Sequence, residues 1–529
     1  MLLLLGDEAI AQGAIDAGIS GVYAYPGTPS TEITEYIQGS KEAASLNIRS
    51  SWAANEKTAM EAALGMSYAG KRALVCMKHV GLNVAADAFV NAAITGTNGG
   101  LVVLLADDPS MHSSQNEQDS RFYAKFSMIP VFEPSSQQEA YDMVRSAFQL
   151  SEEIKVPVLL RVTTRLAHSR AGVNLSEKLA QNELNVVARD SKQFILLPAI
   201  ARRSYKALLE KQETMEAAAE ASAYNAYVDG ADKSRGVIAC GIAYNYYNEN
   251  FPEGSPYPIY KLSQYPLPTS ILNKMVAECD ELFILEEGMP VLEEVIKGMS
   301  NIGPTVRGRL DGTLPRDGEL NPDIVAAAFG LEANNTFPAC ELVEMRPPSL
   351  CKGCGHIDMY KALNEVAGRY ETARVFADIG CYTLGALPPY QAINSCVDMG
   401  ASITMAKGAA DSGLFPAIAV IGDSTFTHSG MTGLLDAVND KNNIVVVISD
   451  NETTAMTGGQ DSAGTGKIEK ICEALGVVPE HIRVFVPLKK NFDEMVNIIQ
   501  EEFDYNGVSV IIPRRECVQV ATRQKKAKK

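Results

Sequence analysis

The residues best suited to chemistry sit at the ends of two apolar runs. Ala417-Ile418-Ala419-Val420-Ile421 stops at Gly422-Asp423-Ser424. Ile444-Val445-Val446-Val447 runs through Ile448-Ser449 into Asp450-Asn451-Glu452, two threonines and, soon after, Gly458-Gly459. Such β-branched runs read as strands buried on both faces. Asp423 and Asn451 lie 28 residues apart, at the C-terminal ends of two strands joined by one right-handed crossover. Ligands bind at that edge of an open α/β sheet. Mg²⁺ takes hard oxygens in an octahedron, commonly one or two carboxylates plus phosphate oxygens. Asp423 offers a carboxylate, Asn451 an amide oxygen and Thr453 a backbone carbonyl. Gly422, Ser424 and Gly458-Gly459 offer backbone amides for phosphate. Gly-Asp-Ser also serves ordinary turns, so capping is the competing role.

A second set is thiol-based. Of ten cysteines only Cys351 and Cys354 form a Cys-x-x-Cys; Cys381 follows 27 residues after Cys354, and Cys517 sits just past the end of the last expected strand. Four thiolates suit a [4Fe-4S] cluster, while Cys-x-x-Cys alone also fits zinc or a redox pair. A third candidate is Glu56, in Ala53-Ala54-Asn55-Glu56-Lys57-Thr58-Ala59-Met60. It opens a helix of small apolar residues, where the helix dipole alone favours a carboxylate.

The elements that must hold these groups alternate. Helices are expected at Glu8 to Ala17 and Asn55 to Met66. Strands are expected at Gly21 to Tyr25, Ala73 to Met77, Leu101 to Ala106, Pro157 to Val162, Gly236 to Gly241, Glu281 to Glu286, Arg374 to Ala377, Ala417 to Ile421, Asn443 to Ser449 and Val508 to Ile512. In the last unit a helix is expected from near Gly430. Strands separated by helices imply mostly parallel sheets. A helical stretch from about 200 to 225 reads as part of a connector. Residues 301 to 348, rich in Pro, Gly and Asn, suit a linker.

At 529 residues the chain exceeds one core, and about three domains are expected. A formal charge of -17 argues against nucleic acid or an anionic membrane as the main partner. The four leucines of MLLLLGDEAIAQG are too few for a signal or a span, so a cytoplasmic protein is expected. The cysteines of a large acidic chain do not suggest a disulfide framework.

Gly422-Asp423-Ser424 followed by Asn451 resembles the diphosphate-binding motif of thiamine-diphosphate enzymes, with Ser424 in place of the usual second Gly. Asp450-Asn451-Glu452 with Thr457-Gly458-Gly459-Gln460 resembles the 2-oxoacid:ferredoxin oxidoreductases. So do Tyr25-Pro26-Gly27-Thr28-Pro29-Ser30-Thr31 and Asn55-Glu56-Lys57. More narrowly, Met77 to Asp87, Ser113 to Arg121, Asp378 to Gly385 and Asp398 to Ser402 resemble the α subunit of indolepyruvate:ferredoxin oxidoreductase, over nearly the whole chain.

The resemblance implies three doubly wound α/β domains. Residues 1-185 would bind the pyrimidine, 186-235 form a helical connector, 236-335 a middle transketolase-C-like domain, and 340-529 bind the diphosphate. It implies thiamine diphosphate, Mg²⁺ on Asp423, Asn451 and the Thr453 carbonyl, and one proximal [4Fe-4S] cluster on Cys351, Cys354, Cys381 and Cys517. Glu56 would hydrogen-bond the aminopyrimidine ring, and the cofactor then carries the hard chemistry. Thr28 would lie near the substrate carboxylate. His79 and Arg121 would reach the substrate pocket, with a structural role open for both. Gly27, Asn83, Gly422, Ser424, Thr425, Met456 and Thr457 complete the implied cofactor contacts. The implied activity is oxidative decarboxylation of an aryl 2-oxoacid such as indolepyruvate to an acyl-CoA. Its partners would be a γ-type (β-chain) subunit, CoA, and ferredoxin or another carrier, in a homodimer or (αβ)₂ assembly. The family's usual C-terminal ferredoxin-like module, with its Cys-x-x-Cys runs, has no counterpart before Lys529. Electrons would then pass to a separate protein, or the reaction would be a non-oxidative decarboxylation or carboligation. A regulatory cofactor-binding relative is the reading from another class.

Overall fold

The structure is a computed structural model that describes residues 1–185, 194–298, 304–332, 340, 342–344 and 348–527. The chain forms two compact units, Met1–Pro338 and Ala339–Lys529.

The first unit holds two large sheets. One has seven strands in the order Gln264–Tyr265, Val131–Phe132, Val158–Thr163, Leu101–Asp107, Ala73–Lys78, Gly21–Ala24 and Arg49–Trp52. All are parallel except the Gln264–Tyr265 edge. Every residue of Leu101–Asp107, Ala73–Lys78 and Val158–Thr163 is buried, because helices cover both faces of a parallel sheet. The other sheet has five strands in the order Thr305–Arg307, Glu281–Leu285, Arg235–Cys240, Ile259–Leu262 and Ala226–Val228. The opening leucines are a strand: Leu2–Leu5 pairs antiparallel with Arg170–Val173.

The stretch expected to be a linker contributes ordered structure. Thr305–Arg307 adds an edge strand, and Pro322–Phe329 is a helix whose Phe329 packs against Tyr247, Phe251 and Phe283. The connector holds two helices, Pro198–Glu210 and Gln212–Glu220; its residues 186–193 lie outside the described residues.

The second unit carries one six-stranded parallel sheet in the order Ser395–Cys396, Arg374–Ala377, Ala417–Gly422, Ile444–Ser449, Val508–Pro513 and Ile482–Phe485. The helix expected near Gly430 starts at Asp423, straight after the strand. It passes through a π-turn at Phe426–Gly430 and continues as Met431–Asn439. Phe426 in that turn is fully buried, and Gly430 sits against Ile421, where a Cβ would stand 2.7 Å from Ile421 Cδ1. Such turns recur at functional sites. Among the described residues no helix is long and apolar enough to cross a membrane.

Candidate active site

In the second unit Asp423 and Asn451 end neighbouring parallel strands, whose register pairs Gly422 with Ser449. Asp423 is 2% exposed, and its Oδ2 has no hydrogen-bond partner. Burial pushes its carboxyl up to about 7; the Ser462 hydroxyl pulls against it, the nearby Asp450 pushes with it, and the Ser424 and Asn451 amides pull against it. An orphaned, dry carboxylate oxygen is what an incoming cation would satisfy. Asn451 Oδ1 accepts the Thr453 N–H at 3.2 Å in an Asx turn, so amide and following carbonyl come as one piece. Glu452 takes φ 62°, the left-handed region, and its N–H reaches Asp450 Oδ1 at 3.1 Å. Backbone held there by a buried anchor is a feature of functional turns. Ser424 meets Thr454 through their hydroxyls at 2.9 Å, and Thr425 Oγ1 donates to the Ile379 carbonyl at 3.1 Å. Thr457 Oγ1 donates to the Thr454 carbonyl at 3.4 Å, and Met456 is exposed. Gly422 is needed for close approach, since a Cβ there would fall 2.7 Å from the Tyr382 ring.

The thiols are adjacent. Cys351, Cys354, Cys381 and Cys517 line one cleft, which also takes in Asp450 and Asn451. Burial, reinforced by the other three thiols, pushes Cys381 up to about 12. The Cys517 N–H donates to the Asn451 carbonyl at 3.2 Å, and the Arg515 N–H to the Asp450 carbonyl at 2.9 Å. Arg514 Nε adds a 2.6 Å bond to Asp450 Oδ2. The chain leaving Val508–Pro513 is thus stitched to the Asp-Asn-Glu turn. Gln519 Nε2 reaches Cys351 Sγ at 3.3 Å, and His356 Nδ1 lies 3.0 Å from Cys354 Sγ.

In the first unit Glu56 opens the helix Glu56–Tyr68. Asn55 caps it, accepting the Thr58 N–H at 2.9 Å, and Thr58 Oγ1 accepts the Asn55 N–H in return. Glu56 is buried, and its carboxyl group lies against Gly81: a Cβ on Gly81 would stand 2.6 Å from Glu56 Oε1. Gly27 packs on Lys78: a Cβ on Gly27 would stand 3.3 Å from Lys78 Cβ. Glu56, Gly81, Lys78 and Gly27 therefore gather at the C-terminal ends of Gly21–Ala24 and Ala73–Lys78. The Thr28 carbonyl accepts the Ser113 hydroxyl at 3.4 Å. His79 is buried, its Nε2 3.3 Å from the Asn116 carbonyl and its Nδ1 without a partner. Asn83 Oδ1 accepts the Tyr123 hydroxyl at 2.7 Å.

Arg121 lies in a different setting. Its guanidinium is 2% exposed, ion-paired with Asp119 and Glu286, and donates to the carbonyls of Glu287 and Met289 at 3.0 Å each. Arg161 beside it pairs with Asp107 at 2.6 Å, Asp119 at 3.3 Å, and Glu133. These arginines join the two sheets of the first unit.

Sequence reasoning passed over Lys78 and Asp378. Lys78 ends a fully buried strand; burial lowers its ammonium to about 8, and Nζ donates to the Ser113 carbonyl at 2.6 Å. A lysine closing an apolar run was the available signal. Burial pushes Asp378 up to about 7; it accepts the Ser402 hydroxyl at 2.6 Å and the Tyr382 hydroxyl.

Comparison with known proteins agrees with this layout. Residues 12–228 match the family described as "Pyruvate flavodoxin/ferredoxin oxidoreductase, thiamine diP-bdg". Residues 378–512 match "Thiamine pyrophosphate enzyme, C-terminal TPP binding domain". The chain is 38% identical to indolepyruvate oxidoreductase subunit IorA of Methanothermobacter thermautotrophicus, over 98% of this chain and 87% of that protein. It is also 38% identical to the Archaeoglobus fulgidus subunit of that name, over 99% and 88%. A 2-oxoglutarate:ferredoxin oxidoreductase structure from Magnetococcus marinus shares the fold at TM-score 0.50 and 17% identity, over 62% of this chain and 64% of that one. With its three α/β sheets and paired matches, the chain belongs to the indolepyruvate oxidoreductase subunit IorA family, the thiamine-diphosphate-binding subunits of 2-oxoacid:ferredoxin oxidoreductases.

Proposed function

We propose that the chain oxidises an aryl 2-oxoacid of the indolepyruvate type, releasing CO₂ and forming an acyl-CoA. Two electrons leave singly through a [4Fe-4S] cluster to ferredoxin or another carrier. Bound thiamine diphosphate supplies the carbanion chemistry that the side chains lack. In this reading Glu56 holds the proton shared with the aminopyrimidine ring, and Gly81 leaves room for that carboxyl. Gly27, Thr28, His79 and Asn83 line the ring and substrate side. Asp423, Asn451 and the Thr453 carbonyl take Mg²⁺; Gly422, Ser424, Thr425, Met456 and Thr457 face the diphosphate. Arg121 acts as a positioning residue. The work is shared among a domain of residues 1-185, a connector of 186-235, a middle domain of 236-335 and a domain of 340-529. A γ-type partner subunit completes an (αβ)₂ assembly.

The observation that carries the oxidative reading is the thiol cleft against the Asp-Asn-Glu turn. Four thiols facing one cleft suit a [4Fe-4S] cluster. The test is anaerobic turnover of the chain with its partner subunit, given indolepyruvate, phenylpyruvate, pyruvate or 2-oxoglutarate with CoA and a viologen dye. CoA-dependent dye reduction, fastest with the aryl acids, is expected. Aldehyde release without dye reduction would replace the oxidative reading by the non-oxidative one.

A further inference from the structure

Away from the groups above, three side chains from three helices converge in the first unit. Asp7 stands in the first turn of Gly6–Asp16, Glu32 in the first turn of Thr31–Gly39, and His168 at the end of Thr164–His168. One ligand atom from each lies within 4.8 Å of the others. Asp7 is 0% exposed, and neither of its carboxylate oxygens has a hydrogen-bond partner. Glu32 Oε2 is a third buried oxygen without one. His168 Nε2 lies 3.7 Å from it, an ion-pair separation too long for a hydrogen bond.

Both oxygens of a fully buried acid left without a partner, beside a third held only by an ion pair to His168, are uncommon in a folded interior. Burial raises the Asp7 carboxyl well above its usual range, and the Glu32 and Glu8 carboxylates push it the same way. The opening of Gly6–Asp16 is fixed tightly here: a Cβ on Gly6 would strike the Leu166 carbonyl oxygen at 2.2 Å. The Glu32 and His168 side chains are 37% and 35% exposed, so a path from solvent exists on their side.

We infer that Asp7, Glu32 and His168 form a binding site for one divalent transition-metal ion. Two carboxylates and one imidazole suit the borderline ions of the manganese to zinc series better than Mg²⁺ or Ca²⁺, which prefer oxygen alone. Three protein ligands leave further positions for water. The ion would brace the turn that carries Thr28. Glu32 lies one residue after Thr31, whose Oγ1 accepts the Gly27 N–H at 3.0 Å, and Ser30 Oγ donates to the Gly27 carbonyl at 2.8 Å. Metal at this place would tie that turn to the first helix and to the segment after Val158–Thr163. The site stands on its own geometry, so its failure leaves the reading of the active site intact.

The test compares the complex with its partner subunit, carrying wild-type chain, Asp7→Asn or His168→Ala. Each is dialysed against Mn²⁺ and, separately, Zn²⁺, and bound metal is counted by mass spectrometry. Metal on the thiols or beside the diphosphate is common to all three samples and cancels in the difference. Wild type should hold one more equivalent than either variant. Mn²⁺ should raise the melting temperature of wild type alone, by mass action on the folded state. If Asp7→Asn does not fold, the half-exposed His168→Ala decides alone. Equal metal content in all foldable samples would overturn the inference and leave Asp7 as a neutral buried acid.

Discussion

Asp423 should trade stability for cofactor binding, and its environment sets the size of the trade. Its carboxyl is pushed from 3.8 up to about 7. Without ligand, the folded chain keeps this proton between those values, while the unfolded chain loses it. The folded state therefore binds more protons across the window, and stability falls as pH rises through it. The contribution is whole below the unfolded value and gone above about 7. A gap of about three pKa units corresponds to about 4 kcal/mol. Asp423→Asn should remove that penalty, making the metal-free variant more stable than wild type at pH 8 by up to about 4 kcal/mol. The difference should vanish towards pH 4. Asp378, also raised to about 7, titrates alike in both proteins and cancels. Ligand binding reverses the ranking. Mg²⁺ must displace the proton, so wild-type affinity for Mg²⁺–thiamine diphosphate should fall about tenfold from pH 8 to pH 6, about 1.4 kcal/mol. The variant should bind weakly at both. Urea denaturation of metal-free protein and calorimetric titration at the two pH values read both halves. The reasoning is refuted if the variant gains nothing at pH 8, or if it binds the metal and cofactor as wild type does.

Glu56→Gln should lower turnover by about 10²–10⁴-fold with cofactor affinity largely kept, as calorimetry beside the dye assay would show. Gly81→Ala should act on the same group indirectly: alanine favours the helix by about 1 kcal/mol, yet its Cβ displaces the Glu56 carboxyl. The expected result is a stable protein with turnover reduced and KM little changed. Cys381→Ser should lose iron and dye reduction together while still binding thiamine diphosphate; full iron content would count against the four-thiol cluster. Arg161→Met leaves Asp107, Asp119 and Glu133 buried without their shared cation and should cost about 3–5 kcal/mol, read as an earlier denaturation midpoint. An unchanged midpoint would contradict that assignment.

What the sequence revealed follows how far each signal reaches along the chain. Ala417–Gly422, Ile444–Ser449 and Arg374–Ala377 stand where the apolar runs put them, because a strand buried on both faces is written in consecutive residues. The helix that Glu56 opens was legible for the same reason, a run of small apolar residues, though its Asn55 cap was read as part of the helix. Short strands such as Gln264–Tyr265 and Thr305–Arg307 carry too few residues for a period to show, so a Pro- and Gly-rich stretch read as linker. The π-turn at Phe426–Gly430 has no local marker in the sequence. For Arg121 the choice between a pocket and a structural role stayed open in the sequence, since its partner Glu286 is far along the chain. The trio of Asp7, Glu32 and His168 was invisible for the same reason, as was the tie between Cys517 and Asn451, which puts the expected thiols beside the expected metal ligands.

The strand Gln264–Tyr265 has a practical consequence for anyone who wishes to dissect the gene. Ile259–Leu262, just before it, belongs to the five-stranded sheet, yet these two residues close the edge of the seven-stranded one beside Val131–Phe132. A fragment cut where the pyruvate-type match stops, at residue 228, would bare that backbone edge to any passing chain. It would also strip Arg121 of Glu286 and of the carbonyls at 287 and 289. Such a piece should come out of the cell as inclusion bodies, whereas a cut placed after residue 338 keeps the seam closed.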